Sequence, residues 1–168
     1  MDKRIVFLDK KDLNRFLQSM VEFNSIEPIG SIYENSFKKD NKLGHPMSKF
    51  KLVNFISYCL NPNHYHLILE QVTDKGIERF MQRLGNGYTK YFNNKNNRSG
   101  SLFQGKFKSV HINTNDYLLR LNAYVNLNYR VHALGHSMSK SSWDEYIGGY
   151  NNGFCKKDII LDQFNKKE

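Results

Sequence analysis

The 168-residue chain is poor in the features that mark secreted and membrane proteins. It has two cysteines, Cys59 and Cys155, too few for a disulfide framework or a zinc site, so we expect a protein of the reducing cytoplasm. Cys59 stands in an apolar stretch and is interpreted as a small core residue. Apolar runs long enough for a signal peptide or a membrane span are lacking, so we expect no membrane association.

Acidic residues are also scarce relative to basic ones. The sequence has 25 Lys and Arg against 16 Asp and Glu, a net charge of +9. Such a charge favours a polyanionic partner, and nucleic acid is the first candidate. Aromatic residues make up 14% of the chain, which indicates that the charge is carried by a folded protein. An RNA-binding protein also fits the charge, but no RNA-binding motif is apparent.

The chain length predicts a single domain over residues 1–168, and its polar tail at about 131–168 is expected to be irregular. Helices are predicted at 9–23, at 75–95, from Thr114 or Asn115 to 128, and around 143–146. Strands are predicted at 52–60 (buried on both faces), 64–72 and 102–112, and a long loop with a short strand at SIYE is predicted at 24–50. Because hairpins rather than helical crossovers join the strands, we expect an α+β fold in which helices pack on an antiparallel sheet.

Two histidines interrupt the second strand of the predicted hairpin, in NPNHYHLILE at residues 61–70. Side chains alternate along a strand, so His64 and His66 point to the same face, just after a tight turn. Two imidazoles on one face can bind one divalent metal ion, although a third ligand is needed. The alternative is that both histidines form hydrogen bonds at the rim of the sheet.

A narrow stripe on the third helix offers that ligand. It consists of Tyr117, Leu121, Tyr124 and Asn128. An asparagine in an apolar stripe requires a partner, and a metal ion held by Asn128 would lie near the Tyr124 hydroxyl. The alternative, which the spacing leaves open, is that Tyr124 packs in the core and Asn128 caps the helix.

Four segments in order resemble the single-tyrosine HUH transposases, in particular the REP-associated tyrosine transposases and related IS200-like enzymes. The segments are NPNHYHLILE, RFMQRLGNGYTKYFN, RSGSLFQGKFKS and NDYLLRLNAYVNLN. The resemblance covers about residues 3–130, and more loosely SSWDEY. It implies a ferredoxin-like or RRM-like nuclease core. We expect the usual first strand of that core to be missing here or replaced by RIVFL.

The resemblance also implies an active site and a reaction. His64 and His66 match the metal-binding histidines, Asn128 matches the polar residue that completes the metal site, and Tyr124 matches the nucleophile. The implied reaction cleaves and rejoins single-stranded DNA at hairpin-flanked sites through a 5′-phosphotyrosine. Mg²⁺ or Mn²⁺ is the expected ion, whereas two imidazoles alone would equally admit zinc, nickel or copper.

Basic and aromatic residues could bind the DNA. The candidates for the phosphate backbone are Arg79, Arg83, Lys90, Lys106 and Lys108, although each could simply be solvated. The alternative function is a truncated or domesticated relative that binds structured DNA without cutting it. The sequence leaves open whether the protein is a monomer or a homodimer, because relatives of both kinds exist.

Overall fold

The computed structural model describes residues 4–27, 30, 32, 50–131, 138–148 and 153–164. Their strands form a three-stranded antiparallel sheet in the order β2-β1-β3, with helices, so the predicted α+β class is confirmed. The elements are α1 (Lys10–Glu22), β1 (Val53–Asn61), β2 (His64–Gln71), α2 (Gly76–Lys95), α3 (Asn115–Val131), β3 (Lys140–Ser141), α4 (Trp143–Tyr146) and α5 (Asp158–Leu161). None of the helices in these ranges is long and apolar enough to cross a membrane.

The central strand β1 contains the β-branched and aromatic residues Val53, Phe55, Ile56 and Tyr58, and all of its side chains except Asn54 are buried. The prediction that this strand is buried on both faces is therefore confirmed. On one side it continues through the Pro62-Asn63 turn into β2. On the other side Cys59 and Leu60 pair with β3, which lies in the tail that was predicted to be irregular. That prediction was wrong at β3 and α5, and correct for the short helix α4.

The chain divides into two compact units. The first, here called the hairpin unit, consists of Met1–Lys10, Asn54–Glu70 and Lys108–Glu168. Its core is a cluster contributed by the hairpin, α3 and α5, namely Ile56, Cys59, Ile68, Leu118, Val125, Tyr129 and Ile160. The tail is fastened to β1 because the Tyr146 hydroxyl donates to the Ile56 carbonyl at 2.7 Å.

The second, here called the helical unit, consists of Lys11–Val53 and Gln71–Phe107. Its helices α1 and α2 pack through Phe16 and Tyr88, whose rings meet edge to face at 4.9 Å. The buried carboxylate of Asp12 pairs with Lys95 at 2.6 Å and accepts a hydrogen bond from Tyr91 at 3.0 Å, so its charge is compensated. The prediction of a single domain stays a prediction.

Residues 102–112 do not form the predicted strand. Gly105 adopts φ +76°, a left-handed conformation that interrupts an extended strand, and none of the described strands pairs with the segment. Leu102 is buried, whereas residues 104–111 are exposed. Lys106 and Lys108 therefore lie in an irregular exposed segment rather than on one face of a strand.

Two further predictions concern the first fifty residues. The RIVFL segment at 4–8 forms no strand, so it does not replace the first strand of the sheet. The SIYE segment and most of the predicted 24–50 loop lie outside the described residues. Where that stretch is described, Asn24 fixes the start of β1, because its Oδ1 accepts from the amides of Leu52 and Val53.

Candidate active site

The candidate site begins at the hairpin turn. The amides of Val6 and Phe7 both donate to the Pro62 carbonyl, at 2.7 and 3.0 Å. Both side chains are buried, so the segment before α1 is packed as well as hydrogen-bonded. This contact holds the turn immediately before the histidine pair.

The rings of His64 and His66 lie near each other, with centroids 5.0 Å apart and planes at 81°. This is the arrangement expected for alternate residues of β2 on one face. Both rings are partly exposed, so they are accessible from solvent.

Helix α3 brings Asn128 and Tyr124 to these rings. Asn128 Oδ1 lies 3.4 Å from His64 Nε2, and the Asn128 side chain is fully buried. One helical turn earlier, the Tyr124 ring lies 5.9 Å from the His66 ring and is 47% exposed. The stripe that the sequence predicted therefore places an amide oxygen and a phenol beside the two imidazoles.

Hydrogen bonds define the tautomer of His64. Its Nδ1 lies 2.6 Å from Asn63 Oδ1, and an amide oxygen only accepts, so Nδ1 carries the proton. In the neutral imidazole, His64 Nε2 then presents its lone pair, which accepts from Asn61 Nδ2 at 3.2 Å. A histidine whose other nitrogen donates to an oxygen is the usual arrangement of a metal-binding imidazole.

Exposure separates Tyr124 from the other tyrosines near the hairpin. Burial raises the pKa of Tyr65, which lies between the two histidines, to about 12. Burial also raises the pKa values of Tyr58 and Tyr146 above the ordinary value for tyrosine. Tyr58 is buried and Tyr65 and Tyr146 are half-buried, whereas Tyr124 and Tyr117, at 47% and 40% exposed, face solvent on α3.

A buried polar network of Ser142, Asn126 and Asn122 fixes the position of α3. Ser142 Oγ donates to Asn126 Oδ1 at 2.6 Å and accepts from the Tyr58 amide at 3.0 Å. Asn126 Nδ2 in turn bonds Asn122 within the helix. Through Ser142 the tail links the helix that bears Tyr124 to the central strand.

The donor set fits a divalent ion. The nitrogen of His64 and the oxygen of Asn128 are 3.4 Å apart, and two ligands about 2.1 Å from one ion lie roughly 3.0–3.4 Å apart. Asn128 Nδ2 is buried without a hydrogen-bond partner among the described residues. An unpaired buried group of this kind costs about 1–3 kcal/mol, whereas the Asn128 oxygen accepts a hydrogen bond from Asn61 Nδ2 at 2.8 Å. Among the described residues no three His, Cys, Asp or Glu side chains form a metal-binding group, and the Asn128 amide oxygen is the polar atom that lies beside His64 Nε2.

The five predicted DNA-binding residues are distributed over both units, with Lys108 in the hairpin unit and the others in the helical unit. The guanidinium groups of Arg79 and Arg83 donate to the backbone carbonyls of residues 25–27. Burial, and then the neighbouring charge of Arg79, lower the pKa of Arg83. Both arginines therefore anchor the chain that follows α1, and a role of the five residues in DNA binding stays a prediction.

Two residues of the site, Asn61 and Asn63, were interpreted from the sequence only as turn formers. The structure places both amides against His64, one on each ring nitrogen. The sequence feature that could have indicated these contacts is the pair of asparagines that flank Pro62, directly before the first histidine. A turn motif carries no information about where its side chains point, so the signal was ambiguous.

Comparison with known proteins identifies the family of the chain. A family model described as "Transposase IS200 like" matches residues 34–128, more than half of the chain. The protein is thus a DNA-acting enzyme of the transposase class. It belongs to the IS200-like transposase family, a metal-dependent type. Searches of curated proteins and of solved structures found no match.

Proposed function

We propose that the protein is a single-tyrosine transposase that cleaves and rejoins single-stranded DNA beside hairpins, with Tyr124 as nucleophile. One observation carries the proposal: the half-exposed Tyr124 lies beside His66 and one helical turn from Asn128, whose oxygen faces His64. No other tyrosine described near the hairpin combines exposure with this position.

His64, His66 and Asn128 would hold a divalent ion, Mg²⁺ or Mn²⁺. When bound, such an ion polarises the scissile phosphate and offsets the charge that develops on it, and three neutral ligands leave most of its positive charge available. Asn63 keeps the His64 proton on Nδ1, and so keeps Nε2 as the ligand atom.

Tyr124 performs the covalent step. Its oxygen attacks phosphorus, the bond from phosphorus to the 3′ oxygen breaks, and the DNA 5′ end is left as a phosphotyrosine. The phenolic proton is released to solvent, which reaches this exposed side chain, and the departing 3′ oxygen takes up a proton. Attack of a 3′-hydroxyl on the phosphotyrosine reverses the step and rejoins DNA without ATP.

The experiment is an adduct assay. The wild-type protein is incubated with hairpin-bearing single-stranded DNA and Mn²⁺, and covalent complexes are separated on a denaturing gel. We expect an adduct with wild type, none with Tyr124→Phe and none with His64→Ala. Tyr117→Phe is the matched control, because this tyrosine lies on the same helix with similar exposure and should retain the adduct.

Two results would contradict the proposal. An adduct formed by Tyr124→Phe would show that another residue is the nucleophile. DNA binding by the wild-type protein without any adduct would instead favour the alternative function, a relative that binds structured DNA without cutting it.

The exposed segment 104–111 is proposed to bind the DNA backbone through Lys106 and Lys108. Replacing both lysines with alanine should weaken single-stranded DNA binding at low salt. It should also reduce the slope of log K against log salt by roughly 0.7 for each phosphate that the protein no longer neutralises. A salt slope equal to that of wild type would show that these lysines do not bind phosphates.

A further inference from the structure

Asn61, the last residue of β1, is fully buried and has an unusual pair of partners. Its Nδ2 donates to Asn128 Oδ1 at 2.8 Å and lies 3.2 Å from His64 Nε2, to which it also donates. Its Oδ1 is contacted by the Cys59 thiol at 3.7 Å. One amide nitrogen thus gives its two N–H groups to two of the three atoms that we propose as metal ligands.

The two acceptors need such a donor. His64 Nε2 and Asn128 Oδ1 face each other at 3.4 Å, and in the neutral imidazole neither has a hydrogen to offer, because the single His64 ring proton is on Nδ1. Two lone pairs at this distance repel unless a donor or a cation stands beside both. In the structure, the Asn61 amide fills that role.

The acceptors differ in how many lone pairs they have. An imidazole nitrogen has one lone pair, so His64 Nε2 cannot accept a hydrogen bond from Asn61 and bind an ion at the same time. An amide oxygen has two, so Asn128 Oδ1 can bind an ion with one and keep the Asn61 hydrogen bond with the other.

We propose that Asn61 gates the metal site. Without an ion its amide holds His64 and Asn128 in position. A divalent ion enters by displacing the Asn61 bond to His64, while the Asn61 bond to Asn128 is retained and orients the ligand oxygen. This inference rests on the proposed function, because it assumes that His64 and Asn128 bind the ion.

The test compares two isosteric substitutions that add the same charge. Asn61→Asp replaces the donating amide with a carboxylate, which can only accept and which faces two acceptors, His64 Nε2 and Asn128 Oδ1. The melting temperature of this variant in EDTA should therefore fall below that of wild type. Bound Mn²⁺ should reverse this loss. The added anionic ligand should lower the Mn²⁺ dissociation constant, measured by calorimetry, by about tenfold or more.

Asn63→Asp is the control. It places the carboxylate on the other side of the His64 ring and retains the acceptor for Nδ1. Its melting temperature in EDTA should be unchanged, and its gain in Mn²⁺ affinity should be smaller than that of Asn61→Asp. The inference is overturned if Asn61→Asp is as stable as wild type in EDTA, or if it binds Mn²⁺ no more tightly than Asn63→Asp.

A measurement on the unmodified protein does not depend on the folding of a variant. In protein labelled with ¹⁵N-asparagine, saturating Mg²⁺ should shift one of the two side-chain amide protons of Asn61 upfield, as that proton loses its bond to His64. The other proton should stay in place. A spectrum in which both protons move, or neither, overturns the inference.

The His64→Ala variant separates this inference from the function on which it rests. If His64→Ala binds Mn²⁺ as tightly as wild type, the proposed metal site itself is wrong. If His64→Ala loses Mn²⁺ binding while Asn61→Asp behaves like Asn63→Asp, the metal site stands and only the gating role of Asn61 fails.

Discussion

Ser142 links the tail to both α3 and β1, and removing its hydroxyl tests how strongly this link stabilises the hairpin unit. The hydroxyl is buried, donates to Asn126 at 2.6 Å and accepts from the Tyr58 amide at 3.0 Å. Ser142→Ala leaves both partners buried without this bond. Each unpaired group costs about 1–3 kcal/mol, and some relaxation of the Asn126 side chain will occur, so we expect a total loss of about 2–4 kcal/mol.

Ser57 provides the matched control, because it lies on β1 next to Tyr58. Its side chain is equally buried, but its hydroxyl has no hydrogen-bond partner in the described part of the chain. Ser57→Ala removes a desolvated polar group without breaking a bond. Stability should therefore stay the same or rise by up to about 1 kcal/mol.

Urea unfolding followed by tryptophan fluorescence is the assay. Trp143 is the only tryptophan in the sequence and is adjacent to Ser142, so its emission reports on the hairpin unit. With an unchanged m-value, the shift in midpoint gives the change in stability directly. The reasoning is refuted if Ser142→Ala loses less than about 0.5 kcal/mol, or if Ser57→Ala loses as much as Ser142→Ala.

Three further predictions follow from local contacts. Asn54 donates to Glu70 at 2.7 Å and is the main cause of the lowered Glu70 pKa. This lowered pKa stabilises the fold above pH 4.5, and the stabilisation is lost as the pH falls through the folded pKa. Asn54→Ala should raise the Glu70 pKa towards 4.5 in an NMR titration, and an unchanged value would contradict this assignment. In α2, Gly85→Ala should raise the urea midpoint, by about 0.5–1 kcal/mol of stability, because the added methyl meets open space. Gly76→Ala should lower the midpoint, because its methyl collides with a backbone carbonyl. A lower midpoint for Gly85→Ala, or a higher one for Gly76→Ala, would contradict the corresponding expectation. Burial raises the pKa of Cys59 to about 11, so a thiol reagent at pH 8 should label Cys59 only after unfolding. Rapid labelling of Cys59 in the native protein, mapped by peptide mass spectrometry to separate it from Cys155, would refute this.

The spacing of apolar residues was sufficient to predict the elements that are defined by their own sequence. The alternation and apolar run at 52–72 predicted the β1–β2 hairpin, and helical spacing predicted α1, α2 and α3 to within a few residues. The same reasoning failed at residues 102–112, where apolar and polar residues alternate as in a strand although no strand forms. A strand requires a neighbour as well as a pattern, and Gly105 takes a conformation that the alternation of its neighbours does not reveal.

For the candidate site, too, the spacing of residues within each strand or helix was informative, whereas the contacts between elements were not. Strand alternation put His64 and His66 on one face, and helical spacing put Tyr124 and Asn128 on one stripe. Spacing does not say which face of α3 meets which strand, so the pairing came from the resemblance to transposases. The contacts of Asn61 were beyond this reasoning, because they depend on a residue 67 positions away along the chain.

The pairing of β1 also has a consequence for the order in which the protein folds during synthesis. The strand pairs along one edge with β2, which follows it directly in the chain. Its other partners are made much later: β3 and Ser142, 84 residues after Tyr58, and then Cys155 and Lys156, which bond Phe55. A nascent chain that has emerged as far as Val131 already contains His64, His66, Tyr124 and Asn128, yet exposes an uncovered strand edge of the kind that aggregates. The sheet therefore closes only after the ribosome has added the segment that ends at Ser142, and a chain released before that point would carry every candidate active-site residue without a completed sheet to hold them.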